Sequence, residues 1–460
     1  MGWLIFLGEN GIDEIFNKSK SHRRDDRLVP FRTKVDKNRY EDFSGVVGAF
    51  SRLMSDTILK GGSSREVLYA FMRAKMDDCS EENFDKLFSV VEDFYFENGE
   101  LLPINIKALN YIDCNISQRQ VAEYLYSLFV ESTDLKSKYL LMEDSEDTNV
   151  LEKLVFSSLE DSEREDPSSI QYADSDCLLP YVKEVFYEDM SELMKNPGMY
   201  QSYINRFLAY YYLFYVSQLA VKLGKFEYGK RDEIEKIYMT LNWEVITRVR
   251  PGYEYGWKFV KERLSHIFSH SVLMEIMSHN IENCHADYIR LFTRMNGSVE
   301  DADTAEDVKA ICKVYMDWIP MDYSLCKHDS DKDGTCKTSN EVRRLFEIID
   351  FQFINGGRTS HYNGYNRKFI EFAQKNFGKW RGTLGYSIGV SESDIIMFTQ
   401  IVLQENGGRI RLAKLFEEFE KRGLLFDRES KKKITDLFEK MNLLEKRSDS
   451  GDAQYVKSVL

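Results

Sequence analysis

Along residues 391–460 the apolar positions change period in a fixed order. Ile395, Phe398, Thr399 and Val402 form one largely apolar stripe behind Ser391-x-x-Asp394, which has the form of a capping box. After Gly407-Gly408 the extended piece Arg409-Ile410-Arg411 leads to Leu412, Leu415, Phe416 and Phe419, spaced i, i+3, i+4, i+7. Lys421 and Arg422 fill the last turn of that helix, where cations suit the dipole, and Gly423 stops it. Asp427 is a candidate N-cap for a third helix that buries Ile434, Leu437, Phe438 and Met441. Residues 443–447 and 453–460 then alternate as strands around the turn formers Ser448, Asp449, Ser450, Gly451 and Asp452. Helix, short strand, helix, helix and hairpin is the order of a winged helix-turn-helix.

Upstream the helical period dominates. It predicts helices over residues 43–58, 67–76, 84–96, 117–129, 181–195, 198–223, 231–241, 253–278 and 284–295. The stretch Tyr210, Tyr211, Tyr212, Phe214 and Tyr215 wraps around its helix, which fits a buried central helix better than a base-stacking face. Met1 to Leu7 reads as a strand or helix start, followed by a polar surface segment over 12–45. Residues 143–176 are rich in Asp, Glu and Ser and read as an acidic linker or loop. The expected architecture is therefore mainly α: a large helical body with a C-terminal winged helix-turn-helix unit. Its expected blocks are an N-terminal helical region (1–142), the acidic linker (143–176), a helical domain (177–355), a basic aromatic connector (356–390) and the terminal unit (391–460).

Charge changes the picture. The chain of 460 residues carries a net −14, but residues 356–460 sum to +5 and residues 1–355 to −19. Such asymmetry points to a local anionic partner at the C-terminal end. Arg428, Lys431, Lys432 and Lys433 crowd the first turn of the third helix, where cations oppose the dipole by roughly 0.3–1 kcal/mol each. An anion docked there accounts for them, as does a solvated helix start balanced by Asp427 and Glu429. The connector from Arg358 to Arg381 interleaves cations with Tyr362, Tyr365, Phe369, Phe372, Phe377 and Trp380. That is the composition of a nucleic-acid groove and also of an amphipathic helix with its Lys outside. The expected DNA contacts are Arg428, Lys431 and Lys432, with Lys446 and Arg447 on the hairpin and Lys379 and Arg381 extending the path.

Catalytic patterns are thin, and no cofactor is expected. Gly224-Lys225 is followed by Phe226 and Gly378-Lys379 by Trp380, so neither is a phosphate loop. Gly385-Tyr386-Ser387-Ile388-Gly389 matches G-x-S-x-G without the expected sheet around it. Glu429-Ser430-Lys431 has nuclease-like spacing but lies in a helix start. The loop from Asp329 to Gly334 begins like a calcium loop and then places Lys337 and Asn340 where ligands belong. Cys326, His328 and Cys336, with Cys312 or Cys284, are weak zinc candidates lacking a standard spacing. His266 and His270 stand at i, i+4, with Ile267 where a metalloprotease has Glu. Seven cysteines in no regular framework fit a reducing cytosol, and the apolar run 207–216 is too short to span a bilayer.

Two segments carry a resemblance: Lys379-Trp380-Arg381-Gly382-Thr383-Leu384-Gly385-Tyr386 and the terminus from Lys446 to Lys457. They resemble the DptG family of DNA phosphorothioation-dependent restriction proteins, with looser likeness at Leu28 to Arg32 and Pro251 to Trp257. The resemblance implies a cytoplasmic subunit of a bacterial defence complex that restricts DNA lacking the sulfur modification. DptF and DptH partners would supply ATPase and motor activity. It brings no catalytic residues with it. The expectation is a non-catalytic DNA-binding and scaffolding subunit. The alternatives are a nuclease or other metal-dependent hydrolase subunit and a purely protein-binding adaptor.

Overall fold

The structure, a computed structural model, describes residues 28, 40–59, 65–97, 99–102, 104–144, 149–159, 177–278, 288–327, 334–357, 359–446 and 454–458. The expectations for residues 1–7, the 329–333 part of the Asp-rich loop and the terminal turn 448–452 lie outside these residues. The fold is mainly helical. In chain order the elements are α1 (Ser44–Ser55), α2 (Arg65–Lys75), α3 (Glu81–Tyr95), β1 (Phe96–Glu97), β2 (Glu100–Leu101), α4 (Ile106–Leu109), α5 (Ile116–Phe129), α6 (Leu135–Asp144), α7 (Val150–Leu159), α8 (Pro180–Leu193) and α9 (Pro197–Leu223). There follow β3 (Thr240–Leu241), α10 (Pro251–Glu254), α11 (Trp257–Leu264), α12 (Ile267–Ser278), α13 (Tyr288–Met295), α14 (Asp301–Trp318), α15 (Lys337–Asn355) and α16 (Thr359–Phe377). The chain closes with β4 (Gly378–Trp380), β5 (Tyr386–Val390), α17 (Glu392–Glu405), β6 (Arg409–Arg411), α18 (Leu412–Lys421), α19 (Arg428–Lys440), β7 (Leu444–Lys446) and β8 (Gln454–Lys457). No described helix is long and apolar enough to cross a membrane.

Two compact units are each assembled from non-consecutive stretches. Of the described residues, one takes Leu28 and those within 215–237 and 248–371, the other those within 40–214, 238–247 and 372–458. In the first, α14 and α15 pack side by side, and Asp301 accepts the Lys337 and Thr338 N–H groups at 2.9 Å, capping α15 from a neighbouring helix. Helix was expected over 231–241, but the backbone is non-helical over 231–239 and residues 240–241 form β3. Side chains of α9 claim its polar groups: Lys222 donates to the Lys230 and Glu233 carbonyls, and Gln218 exchanges hydrogen bonds with Glu235. The expected single helix 253–278 is three pieces, and Asn366 holds one break by donating to the Leu264 carbonyl at 2.8 Å.

The histidine pair of this unit is split between a half-exposed His266 and a buried His270. His266 Nδ1 lies 3.0 Å from Asp350, which also accepts from Ser269 and Tyr362. His270 is buried, its Nδ1 2.8 Å from the Tyr288 hydroxyl. The hydrogen bond to Asp350 raises the His266 pKa, so its stabilisation is full below the ordinary histidine value and is lost as pH rises through the raised one. Burial pushes His270 the other way, down to about 3.

In the second unit, α2 and α7 pack together, and Leu68, Met72, Phe84, Phe88, Val155 and Phe156 share one core cluster. Part of the expected acidic linker is thus a docked helix, because Val155 and Phe156 supply the apolar face that Asp/Glu counting overlooked. Residues 160–176 are outside the described set. Tyr210, Tyr211 and Tyr212 are fully buried, as their wrapping around the helix predicted.

The terminal part follows the expected element order. Ser391 and Asp394 complete a capping box, and Asp427 accepts from the Ser430 N–H at 2.9 Å. Strands β6, β8 and β7 form an antiparallel sheet with β8 in the middle, Ile410 opposite Val456 and Leu444 opposite Val456. Met441, expected inside, is 42% exposed because the helix ends one residue earlier. The larger correction is Arg422. The sequence shows it only as a dipole partner in a helix's last turn, but it is turned inward and buried. Its Nη2 lies 2.7 Å from Asp189 of α8, and its Nη1 donates to the Glu418 carbonyl at 3.0 Å and to the Glu418 carboxylate. Glu405 and Tyr211 complete the set, Tyr211 donating to Asp189. Burial opposes the Arg422 charge, but Asp189 outweighs it and holds the guanidinium above its ordinary value. Burial also pushes the Asp189 carboxyl up, against the pull of Arg422.

Arg422→Met strands a buried carboxylate and is expected to cost about 3–5 kcal/mol in urea unfolding, whereas Arg422→Met with Asp189→Leu regains most of it. Equal losses in the single and double variants would contradict this. His270 resists protonation in the fold, whereas the unfolded chain takes up that proton near pH 6.5, so its contribution is lost as pH falls below about 6.5. His270→Gln is therefore expected to give a shallower drop in urea midpoint between about pH 6.5 and about 4.5 than the wild-type chain shows.

Candidate nucleic-acid interface

The first turn of α19 is set from below. Ser430, buried in that turn, donates to both carboxylate oxygens of buried Glu244, at 2.9 and 3.0 Å. Glu244 also accepts the Leu241 N–H at 3.0 Å. A carboxylate under a helix N-terminus satisfies orphan donors and suits the dipole. With that inner face fixed by Glu244 and Asp427, Arg428, Lys432 and Lys433 are left exposed.

Lys431 departs from its expected role. Its Nζ is 2.8 Å from Glu420 and 5.3 Å from the centre of the Phe416 ring, so it links α19 to α18. Arg381 departs further. Its guanidinium donates to the Glu244 carbonyl at 2.6 Å, the Leu241 carbonyl at 2.8 Å and Ser387 Oγ at 3.1 Å. An arginine whose donors hold backbone carbonyls is a bracket, not a phosphate contact. Lys379 is exposed on β4. Lys446 lies on β7, and Arg447 falls outside the described residues.

The connector is mostly an ordinary amphipathic helix. Tyr362, Phe369, Phe372 and Phe377 are buried, and of the described aromatics there Trp380 and Tyr386 are exposed. Ser387 lies inside β5, buried beside Arg381, so G-x-S-x-G forms no strand-to-helix elbow. The strand register brings Thr240 beside Gly389, where a Cβ would stand 1.9 Å from the Thr240 carbonyl oxygen. Glycine here permits the close parallel pairing of β3 with β5.

The zinc candidates are not gathered into a described site. His328 and Cys284 lie outside the described residues. Cys336 caps α15 by accepting the Ser339 N–H, and burial pushes its thiol up to about 11. Burial pushes Cys312 up to about 12. Among the described residues no group of three His, Cys, Asp or Glu side chains could hold a metal ion.

Sequence reasoning missed Glu244, the residue that joins the α19 start to the β4–β5 hairpin. It falls between the helices expected over 231–241 and 253–278, and no motif marks it. Compared with known protein families and with curated proteins, the chain matches none.

Proposed function

We propose that residues 391–460 are a winged helix that contacts the phosphate backbone of duplex DNA through the first turn of α19. In this reading the chain is a non-catalytic DNA-binding and scaffolding subunit of a bacterial phosphorothioation-dependent restriction complex. It acts on unmodified DNA beside DptF and DptH subunits in the cytoplasm. The observation that carries the DNA contact is the exposed trio Arg428, Lys432 and Lys433 at a helix start held from within by Ser430 and Glu244. Arg428, in the first turn, works against the dipole and a docked phosphate removes that conflict, while Lys432 and Lys433 in the next turn add charge. The sheet order β6-β8-β7, with the hairpin strands last in sequence, supports the winged-helix reading. The restriction role rests on the resemblance alone. A second reading, docking of a partner subunit on the same helix, is favoured by the exposed Glu429 and Glu439. It predicts partner binding without DNA retention.

Arg428→Glu with Lys432→Glu is expected to weaken binding to a blunt duplex and to flatten log Kd against log salt by roughly two. Fluorescence anisotropy between about 50 and 200 mM salt measures this. An unchanged slope, with helicity intact by circular dichroism, overturns the assignment.

A further inference from the structure

The β4–β5 hairpin carries two large rings that the core does not use. Trp380 is 62% and Tyr386 41% exposed, directly opposite one another in the antiparallel register. Their centroids are 5.1 Å apart at an interplanar angle of 69°, an edge-to-face pair that leaves ring surface open. Their support is stiff. Arg381, the next residue, is bonded to the Glu244 and Leu241 carbonyls, and its own N–H donates to the Gly385 carbonyl at 2.8 Å. Gly382 and Gly385 adopt φ of 60° and 74°, which closes the turn between the strands. β5 is held on its other side by β3.

The stretch of sequence that carries the rings is cationic, although Lys379 alternates with Trp380 along β4 and so leaves the opposite face of the strand. Lys375 and Lys379 are exposed, and the sequence from Phe372 to Ser391 contains no acid. Within residues 378–390 these two rings are the large apolar side chains in the exposed class, and Lys379, Gly382 and Thr383 share that class. A standard protein interface covers about 800 Å² per partner, far more than two rings offer. Two rings in a stretch whose charges are all positive fit one flat group attached to an anion.

We infer that Trp380 and Tyr386 stack an unpaired nucleobase, with the exposed lysines of the same stretch, Lys375 and Lys379, supplying attraction for its phosphates. This rests on the nucleic-acid reading above and extends it from duplex to single strand. Glu244 ties the two surfaces together: its carboxylate holds the α19 turn through Ser430, and its carbonyl holds the hairpin through Arg381. A nucleic acid with both paired and unpaired parts meets two sites fixed to one residue.

The test uses the full chain, a labelled oligo(dT) of about twenty nucleotides and a blunt duplex of the same length. Trp380→Ala is expected to lower oligo(dT) affinity about tenfold and leave the duplex within about twofold, while Trp380→Phe keeps most of the oligo(dT) affinity. The Arg428→Glu, Lys432→Glu pair is expected to do the reverse. Oligo(dT) binding unchanged in Trp380→Ala overturns the inference, as does a wild-type chain that binds duplex but not oligo(dT). A wild-type chain that binds oligo(dT) through Trp380 but not duplex supports the inference and sinks the duplex reading.

Discussion

One buried ion pair governs how the terminal helices are placed. Arg422 and Asp189 are both withdrawn from water, at 2% and 0% side-chain exposure. Desolvating two charges costs several kcal/mol each, and their attraction repays it only when the remaining donors and acceptors are satisfied. Here they are met from four helices: Asp189 on α8, Tyr211 on α9, Glu405 on α17, and Glu418 on α18. The Arg422 carbonyl in turn accepts from Tyr210 at 2.6 Å. Because bidentate geometry tolerates little displacement, the pair fixes the end of α18 and so the turn that starts α19. Gly423, at φ 77° with Phe214 packed where a Cβ would go, makes that turn possible.

A second anchor acts on the same region. Arg206 donates to Asp394 at 2.8 Å and to the Asn376 carbonyl at 2.7 Å, and lies over the Phe377 ring. Asp394 meanwhile accepts the Ser391 N–H in the capping box. The start of α17 is thus bonded both locally and to α9. Glu244 does the same for α19 and the hairpin. The exposed cations and rings therefore sit on elements whose inner faces are fully committed, the condition under which surface side chains can be pre-placed for a ligand.

What could be read in the sequence is what local physics determines. The helix faces of α17, α18 and α19, the Ser391 box, the Asp427 cap and the Gly423 stop are all set by residues within a few positions. The strands β7 and β8 follow from the change of period. Arg422 illustrates the limit. At a helix C-terminus a cation looks like a dipole partner, and nothing nearby discloses a carboxylate 233 positions earlier in the chain. The failure over 231–241 is of the same kind. Its periodicity is helical, but the side chains of Gln218 and Lys222 take the backbone groups a helix would pair internally. In the acidic segment, charge density hid the few apolar residues of α7 that pay its ordering entropy.

The same distinction sorts the cations on which the DNA proposal stands. A chain of net charge −14 repels a polyanion at long range, yet salt screens that repulsion beyond about 8–10 Å. Within that distance only cations with open donors matter. Lys431 is paired with Glu420, and Arg381 keeps its charge but has its donors on carbonyls and Ser387, so neither offers the open donors that composition suggests. Arg428, Lys432, Lys433, Lys375 and Lys379 lie outward. Counting charges along the sequence overstates the patch, and counting those left exposed gives a smaller one divided between a helix start and a hairpin. A short cationic turn beside a stacking surface suits a ligand that changes character over a few nucleotides better than it suits a long uniform duplex.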